Sequence, residues 1–188
     1  MSRWLAIVPL VVLVGLAVLF VGWSLKRDPE FKPDALVGQA VPETVLPMLS
    51  GDVAGPGMVD LKTAGVGRPM LVNLFASWCA PCQVEHPKLM ALRAQGVAIV
   101  GVAYKDDPIA TRAFLDRLGD PYAMVLVDAE GRAGLDLGVS GVPETFAVDA
   151  MGRVVAKHSG PLIDDRDVQR LVDAMQAPAR PLPTATGR

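Results

Sequence analysis

The feature that most restricts this chain is a junction. A near-continuous apolar run, Met70 to Ala76 (MLVNLFA), stops just short of Cys79. The segment Cys79-Ala-Pro-Cys82 then opens a stretch with helical spacing of Val84, Leu89 and Leu92, which Gly96 ends. An apolar run without alternation is what a strand buried on both faces requires, so the junction reads as a central parallel strand passing into a helix. Further such runs follow. VAIVGVAY, Val97 to Tyr104, is a second buried strand. Asp107 and Pro108 read as an N-cap and first helical position, opening a helix to Leu118. AMVLVD, Ala123 to Asp128, is a third strand, and GLDLGVSG, Gly134 to Gly141, is a short helical or irregular bridge. TFAVDAMGRVVAKHS, Thr145 to Ser159, reads as two strands with a tight turn at Met151 and Gly152. A last helix from about Asp164 to Met175 carries Val168, Leu171, Val172 and Met175 on one face. The order βαβαβ, hairpin, helix predicts a layered α/β domain with a mixed sheet.

The flanks are less regular. Residues 1–27 read as a membrane anchor: Trp4 to Leu25 contains no charge over 22 residues, long enough to cross a hydrocarbon core. Tryptophans stand near both ends of the span, and no small-x-small cleavage site follows it, which favours an uncleaved signal anchor over a removed signal. Charge alone does not orient the span, since Arg3 precedes it while Lys26, Arg27 and Lys32 follow. Residues 28–41 read as an extended tether, 42–176 as the folded domain and 177–188 as a disordered proline-containing tail. Between Pro42 and Pro69, short apolar runs alternate with turn signals, as in a hairpin or an irregular cover. Beyond Arg27 the chain has 15 basic and 20 acidic residues and no basic stripe with interleaved aromatics, so nucleic-acid binding is not expected.

Cys79 and Cys82 are the only cysteines. As a structural disulfide they would close a very short loop, worth about 2 kcal/mol, in a domain of a size that needs no staple. As half of a zinc site they would need two more ligands, and only His86 and His158 are available. A redox pair explains more. Cys79 at a helix N-terminus has its thiolate favoured by backbone N–H groups and the helix dipole, while Cys82 lies one turn on and is expected to be more sheltered.

At this point the chain resembles the thioredoxin fold. Trp-Cys-Ala-Pro-Cys, Trp78 to Cys82, has the Trp-Cys-x-Pro-Cys form, and Pro87 stands where thioredoxins kink this helix. GVPETF, Gly141 to Phe146, is similar to the cis-proline loop facing the cysteines, so the Val142–Pro143 bond is expected to be cis. A second VPET, Val41 to Thr44, lacks the preceding GVSG and reads as an ordinary turn. WCAPCQVEHP, GVAYKDDP and DPYAMVLVDAEGRAGLDLGVSGVPETF, together with the anchor, narrow the resemblance to the CcmG/DsbE family, membrane-tethered thiol–disulfide proteins of bacterial cytochrome c maturation. The match covers roughly Val37 to Met175.

The resemblance implies a domain on the periplasmic side of the inner membrane and an exchange reaction that needs no cofactor and no metal. Its substrate would be the haem-attachment cysteine pair of apocytochrome c, with recharging by a membrane thiol reductase of the DsbD or CcdA type, alongside other cytochrome c maturation proteins. It implies catalytic roles for Cys79 and Cys82, and an acidic site matched by Glu85 and Glu144. Trp78, Val142 and Pro143 would flank the substrate. One departure is informative: the buried aspartate of thioredoxins six residues before the first cysteine is here Asn73, which cannot titrate. Glu85 could instead be a solvated helix residue, and His86 and Lys88 read as surface or rim residues. KDDP, Lys105 to Pro108, reads first as a helix start. Alternatives stay open: a general periplasmic disulfide reductase, a module that binds apocytochrome without catalysis, or a thiol peroxidase. Ala76 disfavours the peroxidase, because peroxiredoxins place Thr or Ser there.

Overall fold

A computed structural model describes residues 36–177, except 52 and 66, together with residues 9, 12–16 and 19. The chain divides into two compact units, residues 1–33 and 34–188. Among the described residues no helix is long and apolar enough to cross a membrane. Most of the expected span at 4–25, the tether up to residue 35 and the tail from 178 lie outside the described residues.

The second unit is built on a seven-stranded sheet. Its strands are β1 (Val45–Ser50), β2 (Val53–Asp60), β3 (Met70–Phe75), β4 (Ile99–Tyr104), β5 (Met124–Asp128), β6 (Glu144–Val148) and β7 (Val154–Ser159). The helices are α1 (Leu61–Ala64), α2 (Ala80–Ala94), α3 (Pro108–Leu118), α4 (Arg132–Asp136) and α5 (Asp165–Gln176). The spatial order is β2-β1-β5-β4-β3-β6-β7. β3, β4 and β5 are parallel, while β6 and β7 on one side and β1 and β2 on the other run antiparallel to their neighbours.

Both parallel crossovers, β3-α2-β4 and β4-α3-β5, step in the same direction along the sheet, so the right-handed rule places α2 and α3 on one face. The core follows that geometry. Leu71, Phe75, Ile99 and Ala103 pack with Leu89 and Leu92 of α2, Phe114 and Leu115 of α3 and Leu171 and Met175 of α5. Residues of opposite parity, Met70, Val72, Leu74, Val100 and Val102, join Leu61, Ala133, Leu137 and Phe146 on the other face. All six residues of β3 are buried, as expected of a central strand.

Of three expectations about the N-terminal part of the domain, one holds and two change. The 42–69 region does form a hairpin, but it extends the sheet instead of covering it, with Met48 of β1 paired to Leu126 of β5. The end of the expected tether is docked: Gly38 N donates to Val154 O at 2.7 Å, and Ala40 bridges to Arg153. The first VPET is not a turn. Val41 is buried, its N–H donates to Gly152 O, and the Thr44 hydroxyl donates to Asp136 Oδ2 at 2.7 Å. Local turn propensity gives way there to pairing with residues about a hundred positions away.

Candidate active site

Cys79 is the N-cap of α2 (φ −89°, ψ 104°), with Pro81 in the first turn. Its Sγ accepts from Cys82 N at 3.1 Å, and the two cysteines are joined by a disulfide of 2.03 Å. In the reduced chain the same N–H and the free amides of the first turn would favour negative charge on Cys79. Cys82 is not distinctly more sheltered, contrary to expectation: both residues are buried, at 3% and 2% exposure. The oxidised pair belongs to the core cluster that holds Phe75 and Ala76, so in this state the two cysteines differ by position on the helix, not by exposure.

The loop between β3 and α2 is latched to the segment after β4. The Asp106 carboxylate accepts from Ser77 N and Ser77 Oγ, both at 2.7 Å, from Thr111 Oγ1 at 2.8 Å and from Asp107 N at 3.0 Å. Trp78, 59% exposed, donates from Nε1 to Lys105 O at 3.1 Å, with Lys105 in the left-handed region at φ 48°. KDDP is thus more than a helix start. Asp107 caps α3 and Asp106 anchors the cysteine loop. Sequence reasoning passed over Asp106, and a second Asp beside the N-cap was the one available signal.

Leu74 of β3 pairs with Glu144 of β6, which brings the residues before Glu144 beside the end of β3 that leads to the cysteines. The Val142–Pro143 bond is cis. Pro143 is buried, Val142 is half-buried, and Pro143 O accepts from Gly160 N at 2.9 Å.

Strand alternation sends the two glutamates of the expected acidic site to different surroundings. Asn73 pairs with Thr145, and this pair faces α2. Asn73 Nδ2 donates to Glu85 Oε1 at 2.9 Å and to Thr145 Oγ1 at 3.0 Å, while Asn73 Oδ1 accepts from the Tyr122 hydroxyl at 2.8 Å. Glu85 Oε2 accepts from Leu162 N at 2.9 Å. Glu85 is fully buried, so the solvated-helix reading is wrong. Burial pushes its carboxyl up to about 7, against the backbone N–H of Leu162 and the Asn73 amide, which favour the charged form. Burial also holds the Tyr122 hydroxyl well above its ordinary value.

Glu144 belongs to the opposite face, with Leu74 and Phe146. Its Oε2 lies 2.7 Å from Lys157 Nζ, both side chains being nearly inaccessible, and Oε1 accepts from Ser140 Oγ at 3.0 Å and Ser140 N at 3.3 Å. The two carboxyls share no partner. Glu144 is charge-compensated, whereas Glu85 has neutral donors only.

His86 is buried, contrary to the surface reading. Its Nε2–H donates to Gly119 O at 2.9 Å, its ring meets Phe114 edge-on at 5.3 Å, and burial lowers its pKa. Lys88 is a rim residue, as expected, ion-paired with Asp165. Among the described residues no cluster of three or more His, Cys, Asp or Glu could hold a metal ion.

An N-terminal helical thiol pair beside a cis-proline loop is built for disulfide exchange, and comparison with known proteins agrees. Residues 36–175 match the Redoxin family. The chain is 41% identical over 169 residues to the thiol:disulfide interchange protein HelX of Rhodobacter capsulatus, covering 88% of this chain and 92% of that one. It is 39% identical over 170 residues to the thiol:disulfide interchange protein DsbE of Escherichia coli K12, covering 86% and 88%. The solved structure of MTB dsbF superimposes with a TM-score of 0.60 at 25% identity, covering 71% and 98%. The chain therefore belongs to the redoxin family and, within it, to the DsbE/HelX thiol:disulfide interchange proteins, and it is a thiol:disulfide oxidoreductase.

Proposed function

We propose that the reduced chain donates two electrons to the haem-attachment disulfide of apocytochrome c during cytochrome c maturation, from a domain tethered by residues 4–25 to the periplasmic side of the inner membrane. The observation that carries the reading is the placement of Cys79 as N-cap of α2, with Cys82 one turn inside and the Val142–Pro143 loop at the same end of the sheet.

The Cys79 thiolate attacks one sulfur of the client disulfide. A Cys79–client bond forms, the client bond breaks, and the released client sulfur takes up a proton. Cys82, as thiolate, then attacks Cys79 Sγ, which forms the Cys79–Cys82 bond and expels the second client sulfur. The client is reduced by two electrons and the chain oxidised by two. Trp78 flanks the client, and the backbone of Val142, held next to the cis Pro143, pairs with its extended chain.

Glu85 governs the resolving step. It lies one turn past Cys82 on the buried side of α2, and its carboxylate is matched by no cation among its partners. Ionised Glu85 disfavours a second negative charge on Cys82, so loss of the Cys82 proton is coupled to uptake of one by Glu85. Glu144, already paired with Lys157, shapes the loop instead. A membrane thiol reductase of the DsbD or CcdA type returns the pair to the dithiol.

Single-cysteine variants test the assignment against a peptide carrying an oxidised Cys-x-x-Cys-His. Cys82→Ser is expected to accumulate a covalent adduct on non-reducing gels, and Cys79→Ser to form none. Adduct with Cys79→Ser alone reverses the roles. Adduct with neither removes this peptide as client.

A further inference from the structure

Lys157 sits where a lysine is costly. Its side chain is only 4% exposed, its Nζ lies 5.1 Å from the centre of the Phe146 ring, and its partner Glu144 is 2% exposed. Phe146 and Lys157 are cross-strand neighbours in the β6–β7 ladder, and Glu144 lies two residues back on the same face, so the ion pair is a diagonal cross-strand contact. A buried pair of this kind gives little net stability after desolvation, and its better-attested use is to fix one arrangement.

What the pair fixes is visible in the loop. Ser140 and Gly141 are exposed and have little packing above them. Near the crest the loop is closed by the two hydrogen bonds from Ser140 N and Oγ to Glu144 Oε1, an i to i+4 closure that leaves Val142 and Pro143 between its ends. Glu144 can hold that position as a buried carboxylate only while Lys157 balances it.

We propose that Lys157 is a positioning residue for the exchange reaction: through Glu144 and Ser140 it presets the Val142–Pro143 loop that receives the backbone of a peptide disulfide. The inference rests on the proposed use of that loop for client docking. Without Lys157, Glu144 turns toward water, Ser140 is released, and the loop must be ordered by the client each time it binds. A disulfide with no peptide backbone does not use the loop and is not affected.

The test compares reduction of two substrates by the full-length protein in detergent. One is a peptide with an internal Cys-x-x-Cys disulfide, and the other is hydroxyethyl disulfide. Lys157→Met is expected to raise KM for the peptide about tenfold, the cost of ordering a loop that the ion pair no longer presets, with kcat changed less than about twofold. Its rate on hydroxyethyl disulfide stays within about twofold of the parent. Lys157→Arg restores the peptide KM. The double variant Lys157→Met, Glu144→Gln recovers part of it, because a neutral amide in place of the carboxylate needs no counter-charge to accept from Ser140. Ser140→Ala, an exposed change that leaves the buried pair intact, raises the peptide KM about threefold and keeps the proposal testable should Lys157→Met fold poorly. Equal slowing on both substrates by Lys157→Met, or an unchanged peptide KM in Ser140→Ala, overturns the inference and leaves the oxidoreductase reading intact. A parent protein that reduces hydroxyethyl disulfide but not the peptide overturns the docking reading and this inference together.

Discussion

Replacing Glu85 by glutamine tests the electrostatic reading of the site through folding stability alone. Glu85 is held at about 7 in the folded chain against an ordinary value of 4.5. The folded state therefore binds the proton more tightly than the unfolded one. The associated stability is present in full below the unfolded value and is lost as pH rises through about 7. The whole difference corresponds to about 3 kcal/mol, of which about 2.5 kcal/mol falls between about pH 5 and about pH 8. A glutamine side chain cannot titrate, so the Glu85→Gln variant lacks that fall. It also offers one acceptor to two donors, Asn73 Nδ2 and Leu162 N–H. That mismatch lowers its stability by about 1–3 kcal/mol, nearly independent of pH. The diagnostic is therefore the difference between the two proteins as a function of pH, not either value alone. His86 and Asp149, whose pKa values are lowered, destabilise both proteins on acidification and cancel in that difference. The assay is urea denaturation of the oxidised protein, in which the disulfide removes thiol titration. The parent is expected to lose about 2.5 kcal/mol relative to Glu85→Gln on going from about pH 5 to about pH 8. Curves that stay parallel within about 0.5 kcal/mol would show that burial does not raise the Glu85 carboxyl and would remove the proposed proton coupling to Cys82.

Three further substitutions probe the same framework. Asn73→Asp recreates a carboxyl at the position where thioredoxins carry one, but here it faces Glu85 Oε1 at hydrogen-bond distance, so two acids would have to share one proton. It should destabilise the oxidised protein by about 2–4 kcal/mol at about pH 8 and much less at about pH 5, measured by the same denaturation series. Asp106→Ala strips the acceptor from Ser77, Thr111 and Asp107. It should cost about 3 kcal/mol and make Trp78 fluorescence more readily quenched by acrylamide, whereas an unchanged quenching constant would mean that the loop is held without the latch. Lys88→Ala removes a solvent-exposed ion pair with Asp165 and should change stability by no more than about 0.5 kcal/mol, a control for the larger effects.

Much of this protein is legible in local sequence because local rules act there. The apolar run Met70 to Ala76 lacks alternation and reads as a doubly covered strand. The cysteine motif then had to open a helix, Asp107 and Pro108 mark the start of α3, and Gly96, at φ 84°, stops α2 with its N–H on Arg93 O. The cis bond at Val142–Pro143 was legible only through the resemblance carried by GVPETF. What the sequence left open lay in partners distant along the chain. Val84 suggested the buried face of α2, yet it is exposed, and the stripe that packs inward runs through Cys82, Glu85, His86, Leu89 and Leu92. Counting apolar residues misplaced that face because two polar side chains occupy it, and they can do so only where Asn73, Leu162 and Gly119 wait with matching donors and acceptors. The same holds for β1 joining β5, for Asp106 holding Ser77 and for Lys157 balancing Glu144. Periodicity and capping are properties of a segment, so the sequence by itself determined the elements and the thiol pair. Burial of a charge is a property of its partners, so only the tertiary structure decided which acid is uncompensated and which is locked in a pair.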